Sequence, residues 1–341
     1  MSLSRRARRE WRIVLWVSVI SAAASVWFTS RVVPDDPILH SILEGVATSL
    51  LIATPIVLIE LKGDRMASLR RLRRLPLALY FTVKVLFYFV IIVGGLVLSR
   101  YFLSSAGGIR FDETFRHALL FAIAMSVFGN FVFDMTGLLG LSTLKSLVTG
   151  RYVQPRREQR TFLLIDMKNS TGVAEKLGPV RFHELLNAFF RNVNDAALEC
   201  EAEIHKYVGD EAILTWSGEE ALAAGECLAC PFLVRDYIAA NRETYMSRFG
   251  LVPEFRAAIH CGEIVAGEIG DVRREIAFVG DTLNVAARLL DAAKDLGRDV
   301  LASQDILRRT QLPSGVKAVE LPTLSIRGRA APLAVAALTR A

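Results

Sequence analysis

Four long apolar runs set the limits on this fold: Ile13–Phe28, Ile38–Ile59, Leu77–Ser99 and Ala118–Leu141. A helix that crosses a bilayer needs about 20 mostly apolar residues. Its backbone polar groups must be satisfied within the helix itself. The last three runs meet that length. The first meets it when Trp11 and Thr29–Ser30 sit at the interface. Residues 1–141 are therefore expected to form a four-span α-helical membrane domain. An uncleaved first helix is expected rather than a signal peptide, because the apolar run passes Ala22–Ala24 and continues through Val26, Trp27 and Phe28.

The chain has 341 residues, 52% of them hydrophobic and only 22% charged, which excludes a disordered protein. The formal net charge is +6, and the basic residues come in groups. Arg5, Arg6, Arg8, Arg9 and Arg12 form one; Lys62, Arg65, Arg70, Arg71, Arg73 and Arg74 a second; Lys145, Arg151, Arg156, Arg157 and Arg160 a third. Each group flanks an apolar run, which points to membrane topology and away from nucleic acid. The other loops carry Arg31, Arg100 and Arg110 against Asp35, Asp36, Asp112 and Glu113. The excess of Lys and Arg on one side places both termini in the cytoplasm, for a multi-pass protein of the inner (plasma) membrane. Cys200, Cys227, Cys230 and Cys261 all fall after the apolar runs. They make no disulfide framework, and the lone C-x-x-C pair is read as core or surface cysteine rather than as a zinc or redox site.

Ionisable residues within spans mark pairing or function. Glu44 lies toward the outer end of the second run, Lys84 toward the inner end of the third and Asp134 toward the inner end of the fourth. Lys84 and Asp134 share a depth, so an ion pair between them is expected. His40 and His117 are read as interfacial polar residues. A ligand or partner for the membrane domain is expected, but its identity is not legible. Residues 142–160 read as a linker in which the fourth helix runs on into the cytoplasm and stops at Gly150.

From residue 161 the pattern becomes that of an ordinary α+β domain, 161–341. Thr161–Asp166 is a short apolar strand ending in an acid. A helix of about 20 residues follows, with Phe182, Leu185, Leu186, Phe189, Phe190, Val193 and Ala197 on one face. Glu203–Val208 and Glu211–Trp216 read as a hairpin turning at Gly209–Asp210. Phe255–His260 and Glu263–Ile269 read as a second strand pair around Cys261–Gly262, and Asp281–Lys294 as a helix. This order predicts a ferredoxin-like (βαββαβ) sandwich. In such a sheet the first strand and the hairpin lie side by side, so Asp166 and Asp210 converge. Two carboxylates suit one or two hard cations that take their remaining ligands from phosphates. On the last helix Asn284 and Arg288 are four apart and share a face. An amide beside a guanidinium suits a ribose and a phosphate.

Four segments in this order, FLLIDMKNST, HKYVGDEAILTW, FRAAIHCGEIVAGEIG and FVGDTLNVAARL, resemble the class III nucleotidyl cyclases, the adenylate and guanylate cyclases. The resemblance implies a homodimer with composite active sites. One protomer would supply Asp166, Asp210 and the Met167 backbone to two Mg²⁺ or Mn²⁺ ions per site. The backbone of Met167, Lys168, Asn169, Ser170 and Thr171 would approach the triphosphate. The partner would bring Lys206 to the base, Asn284 to the ribose and Arg288 to the transition state. Arg327 would contact the terminal phosphates. In this family a lysine at the position of Lys206 goes with adenine, which makes ATP the expected substrate and cyclic AMP the product. The second base-reading position is Ala277, where adenylate cyclases commonly hold Asp, Thr or Ser.

Three other readings stay open. Val208-Gly-Asp-Glu-Ala weakly resembles the signature of diguanylate cyclases. A receptor whose cyclase-like half is a non-catalytic module is the second, opposed by the presence of Asp166, Asp210 and Arg288. A transporter is opposed by the few intramembrane charges and the lack of an inverted repeat.

Overall fold

The computed structural model describes residues 5–32, 38–62, 75–103, 112–218, 222, 225–272, 274–325 and 332–340. The chain divides into two compact units, Met1–Leu139 and Gly140–Ala341.

The first unit holds α1 (Arg5–Val32), α2 (Ile38–Lys62), α3 (Leu77–Leu103) and α4 (Glu113–Leu139). Within them, Glu10–Val32, Ile42–Leu61, Leu79–Phe102 and Glu113–Gly137 are long and apolar enough to cross a membrane. Large apolar side chains such as Trp16, Phe87, Phe128 and Phe131 point outward, while Ile52, Ile92, Leu96 and Phe115 pack inside. Two glycines let helices approach closely. A Cβ on Gly45 would lie 2.8 Å from the Val26 nitrogen, and one on Gly95 would lie 2.5 Å from the Ile52 side chain. Small residues at such contacts are how helices pack where no water drives association.

The expected pairing of Lys84 with Asp134 is present, with Nζ 3.3 Å from Oδ1, but Lys84 has a nearer partner in Glu60 at 2.6 Å. The Tyr88 hydroxyl also donates to Glu60. The pair is thus a triad joining α2, α3 and α4. Glu60 falls outside the sequence reading because the second apolar run ends at Ile59. Removing a buried ammonium from two carboxylates leaves charge uncompensated, which costs about 3–5 kcal/mol. Lys84→Ala should therefore lower the thermal stability of the full chain in detergent. Exchanging Lys84 with either acid sets two carboxyl groups side by side, against Asp134 in one case and Glu60 in the other, so neither exchange should restore it fully.

The second unit begins with α5 (Leu141–Thr149). The expected continuous helix is interrupted at Gly140, whose φ of 82° lies outside the helical region. Gly150 then closes α5 in the left-handed conformation, with its N–H donating to the Leu147 carbonyl. The strands are β1 (Arg156–Met167), β2 (Glu203–Val208), β3 (Glu211–Ser217), β4 (Phe255–Ile269), β5 (Glu275–Val279), β6 (Val300–Ser303), β7 (Val316–Leu324) and β8 (Leu333–Arg340). Their order is β2-β3-β1-β4-β6-β8-β7, with β5 paired on β4. The helices are α6 (Ser170–Leu177), α7 (Pro179–Glu199), α8 (Glu226–Ala240), α9 (Arg242–Phe249), α10 (Asp281–Asp295) and α11 (Gln304–Leu307). β1, α6–α7, the β2–β3 hairpin, α8–α9 and β4 form the expected βαββαβ core, with β1 antiparallel to both β3 and β4.

Two local expectations are corrected. A short helix, α6, comes before the expected helix of about 20 residues, which is α7, opened by Pro179, whose missing N–H costs nothing there. The strand pair around Cys261–Gly262 is one continuous strand. β1 runs five residues further back than Thr161 and pairs along β4 from Met167↔Phe255 to Arg156↔Ala266, so no turn forms. Gly262 serves close packing instead, since a Cβ there would lie 2.7 Å from Thr282 Oγ1. On one side of the sheet Leu163, Ile165, Leu214 and Ile259 pack with Leu185 and Phe189 of α7 and Leu228 of α8. On the other, Phe162, Leu164, Ile213 and Ala258 pack with Val285, Ala286 and Leu289 of α10. All four cysteines are buried and free, and burial pushes the Cys227 thiol up to about 12, which makes it core rather than a redox centre.

Candidate active site

Alternation along β1 puts Asp166 on the α10 side of the sheet with Phe162 and Leu164. β1 pairs β3 with Asp166 opposite Glu211, and Gly209, at φ 62°, lets the hairpin turn so tightly that Asp210 comes alongside. The Asp166 and Asp210 carboxyls come within reach of each other. Burial, followed by the Asp210 charge, pushes Asp166 up to about 6, with Arg256 and Lys294 acting the other way. Burial, followed by the charges of Asp166, Asp210 and Asp291, pushes Glu211 up to about 7. A half-buried acidic pair with so little neutralisation fits a divalent cation. Among the described residues no three His, Cys, Asp or Glu form a cage. Two carboxylates and the Met167 carbonyl would thus hold only part of a shell, the arrangement that magnesium shares with substrate phosphates. Sequence reasoning found both aspartates but not Glu211, Arg256 or Lys294, which belong to ordinary strand and helix patterns.

The next loop departs from expectation at Lys168. Its backbone N–H donates to the Glu254 carbonyl at 2.8 Å, and its Nζ lies 2.6 Å from Asp299 Oδ1 and 3.2 Å from Glu254 Oε2. Both donors are engaged within the protein, leaving Asn169, Ser170 and Thr171 at the open end of the loop. Asn169 takes the left-handed conformation, φ 53°, and Ser170 and Thr171 head α6, where first-turn N–H groups have no helical acceptor. Lys168 is a strut. Lys168→Ala and Asp299→Ala should each reduce turnover, and the double variant should lose little more than either alone, as a double-mutant cycle would register.

Lys206 reaches the α10 side of the sheet through a β-bulge. Ile204 packs in the opposite core, and strict alternation would send Lys206 there too. The register shifts between Ile204 and Lys206, so that Lys206 faces Ile213, a member of the α10-side core. An extra residue of this kind re-aims the side chains that follow it. Lys206 Nζ is 3.8 Å from Glu275 Oε1 of β5, and Ala277 pairs with Gly267 further along β5. The bulged residue, His205, stacks on Phe278 with ring centroids 4.5 Å apart. Burial, then the charges of Lys206 and Arg160, hold its imidazole down at about 4.

Asn284 and Arg288 lie on the exposed face of α10. Asn284 Nδ2 sits 3.5 Å from the Gly280 carbonyl, and Arg288 forms no ion pair among the described residues. Arg327 lies outside the described residues. Within the chain, then, Asp166 and Asp210 are brought together. Lys206 is beside the Ala277 strand, and Asn284 and Arg288 share a helix face. No hydrogen bond or ion pair among the described residues joins these three groups.

Residues 152–332 match the family model described as the adenylate and guanylate cyclase catalytic domain. Adenylate cyclase 2 of Rhizobium meliloti (strain 1021) is 35% identical over 302 residues, covering 87% of this chain and 83% of that protein. Adenylate cyclase 1 of the same organism is 29% identical over 182 residues, 52% of this chain and 27% of that protein. In fold, the chain is similar to a bacterial light-regulated adenylyl cyclase, with a TM-score of 0.53 at 15% identity, over 67% of this chain and 65% of that one. With the family's catalytic domain matched over more than half its length, and a relative matched nearly end to end, the chain belongs to the class III adenylate and guanylate cyclases and is an enzyme of that class.

Proposed function

We propose that the protein is a membrane-anchored adenylate cyclase that converts ATP to 3′,5′-cyclic AMP and pyrophosphate at sites shared between two copies of the chain. The observation that carries this reading is the Asp166–Asp210 carboxyl pair, set on the same side of the sheet as the re-aimed Lys206. Asp166, Asp210 and the Met167 carbonyl would hold two Mg²⁺ or Mn²⁺ ions. When bound, these ions would lower the pKa of the ribose 3′-hydroxyl and neutralise the phosphates. Ser170 and Thr171 offer backbone N–H groups to the triphosphate. Lys206 of the other protomer donates to adenine N1, Asn284 orients the ribose, and Arg288 stabilises charge growing on the α-phosphate oxygens. Arg327 meets the terminal phosphates. The 3′-hydroxyl gives up its proton to solvent as its oxygen bonds to the α-phosphorus, the bond from that phosphorus to the bridging oxygen breaks, and pyrophosphate leaves.

The homodimer reading rests on the lack, among the described residues, of any ion pair between the acidic pair and Arg288, and on exposed apolar residues around the base-reading strands, Tyr207, Val208, Ile269 and Val279. The membrane reading rests on the four apolar helices, with both termini on the cytoplasmic side by charge. A second reading, in which GTP is also turned over, is favoured by Ala277, whose methyl group cannot accept from the adenine amine. The reaction is tested with ATP labelled at the α or the γ position. The α label is expected in a cyclic nucleotide and the γ label in pyrophosphate. Release of the γ label as inorganic phosphate, with the α label left in a nucleoside diphosphate, would contradict it.

A further inference from the structure

Arg160 is grouped by sequence with the basic residues after the fourth span, yet it is only 4% exposed. Its Nη2 donates to the Tyr152 hydroxyl at 2.9 Å, its Nε to Glu158 Oε2 at 3.2 Å and its Nη1 to Glu203 Oε2 at 3.3 Å. Tyr152, 3% exposed, also donates to Glu158 at 3.1 Å. The guanidinium carbon lies 4.6 Å from the centre of the Phe278 ring. A buried ion cluster of this kind adds little net stability over apolar packing. Its geometry gives it another use. Glu203 lies on β2 just before the bulge, and Phe278 lies on β5 just after Ala277. His205, the bulged residue, stacks on that same ring.

We infer that Arg160, Phe278 and His205 are positioning residues that hold the β2 bulge and so aim Lys206 at the nucleotide base. This rests on the reading of Lys206 as the base-recognising residue. Without the stack, β2 can return to regular alternation, which turns Lys206 toward the opposite core. A second consequence concerns the approach from the membrane unit. Tyr152 lies two residues after the α5 cap and its carbonyl accepts from the Glu268 N–H at 2.9 Å, so the segment after α5 is built into the same cluster.

The test measures kcat and KM for ATP and for GTP on the full-length protein in detergent, for wild type and for Lys206→Ala, His205→Ala, His205→Phe and Arg160→Lys. His205→Ala is expected to raise KM for ATP and to lower the ATP-over-GTP ratio of kcat/KM about tenfold, the equivalent of one lost aromatic stack. Its kcat for ATP should stay within about threefold of wild type, which an unspecific loss of structure would not allow. His205→Phe, which keeps the stack, should retain the ratio. Arg160→Lys, which keeps the charge but not the fork, should lower it. If Lys206→Ala lowers the ratio while His205→Ala and Arg160→Lys leave it unchanged, the inference fails and the base assignment stands. If Lys206→Ala leaves the ratio unchanged, the base assignment fails and the inference with it. Should His205→Ala not fold, Arg160→Lys decides the matter by the same ratio.

Discussion

Arg288→Ala should lower kcat by about 10²–10³-fold with a much smaller change in KM, because its guanidinium meets charge that develops only in the transition state. Arg288 is exposed and makes no ion pair among the described residues, so its removal leaves no buried carboxylate without a partner. Thermal unfolding should be unchanged within experimental error. A loss confined to KM would instead make Arg288 a ground-state phosphate ligand. A fall in both kcat and unfolding temperature would make it structural.

The second large effect is a recovery. Asp210→Ala and Arg288→Ala should each be nearly inactive alone. Co-expressed, they should regain about a quarter of wild-type activity, because half the dimers are mixed and each mixed two-fold dimer has one intact site of two. The site with Asp210 from one copy and Arg288 from the other is whole, and its twin lacks both. Tandem purification on two different tags isolates the mixed dimer and should raise its share to about half. Continued inactivity of a purified mixed dimer would show that both residues serve the same site from one chain.

Much of this architecture is legible in the residues, and what escapes does so for physical reasons. The four long apolar helices show because an apolar run of that length has few other uses. The acidic pair shows because Asp166 ends an apolar strand and Gly209–Asp210 marks a tight turn. Continuity of β4 is hidden because Cys261–Gly262 looks like a break, and only the Thr282 contact explains a glycine in mid-strand. Arg160 hides among basic neighbours, since burial of a charge depends on partners as distant in sequence as Glu203 and Phe278. The bulge at His205 leaves no mark in composition, and it is decided by which ring it meets across the sheet. The Lys168 ammonium belongs to Asp299, 131 residues away, which local spacing cannot reveal.

The reaction itself is tested most directly on purified full-length protein in detergent with Mg²⁺ or Mn²⁺, given ATP and GTP in separate assays, with products identified by mass. Cyclic AMP from ATP is expected, with a smaller yield of cyclic GMP from GTP and no cyclic product from Asp210→Ala. Cyclic GMP as the dominant product, or a cyclic nucleotide formed equally well by Asp210→Ala, would contradict the account.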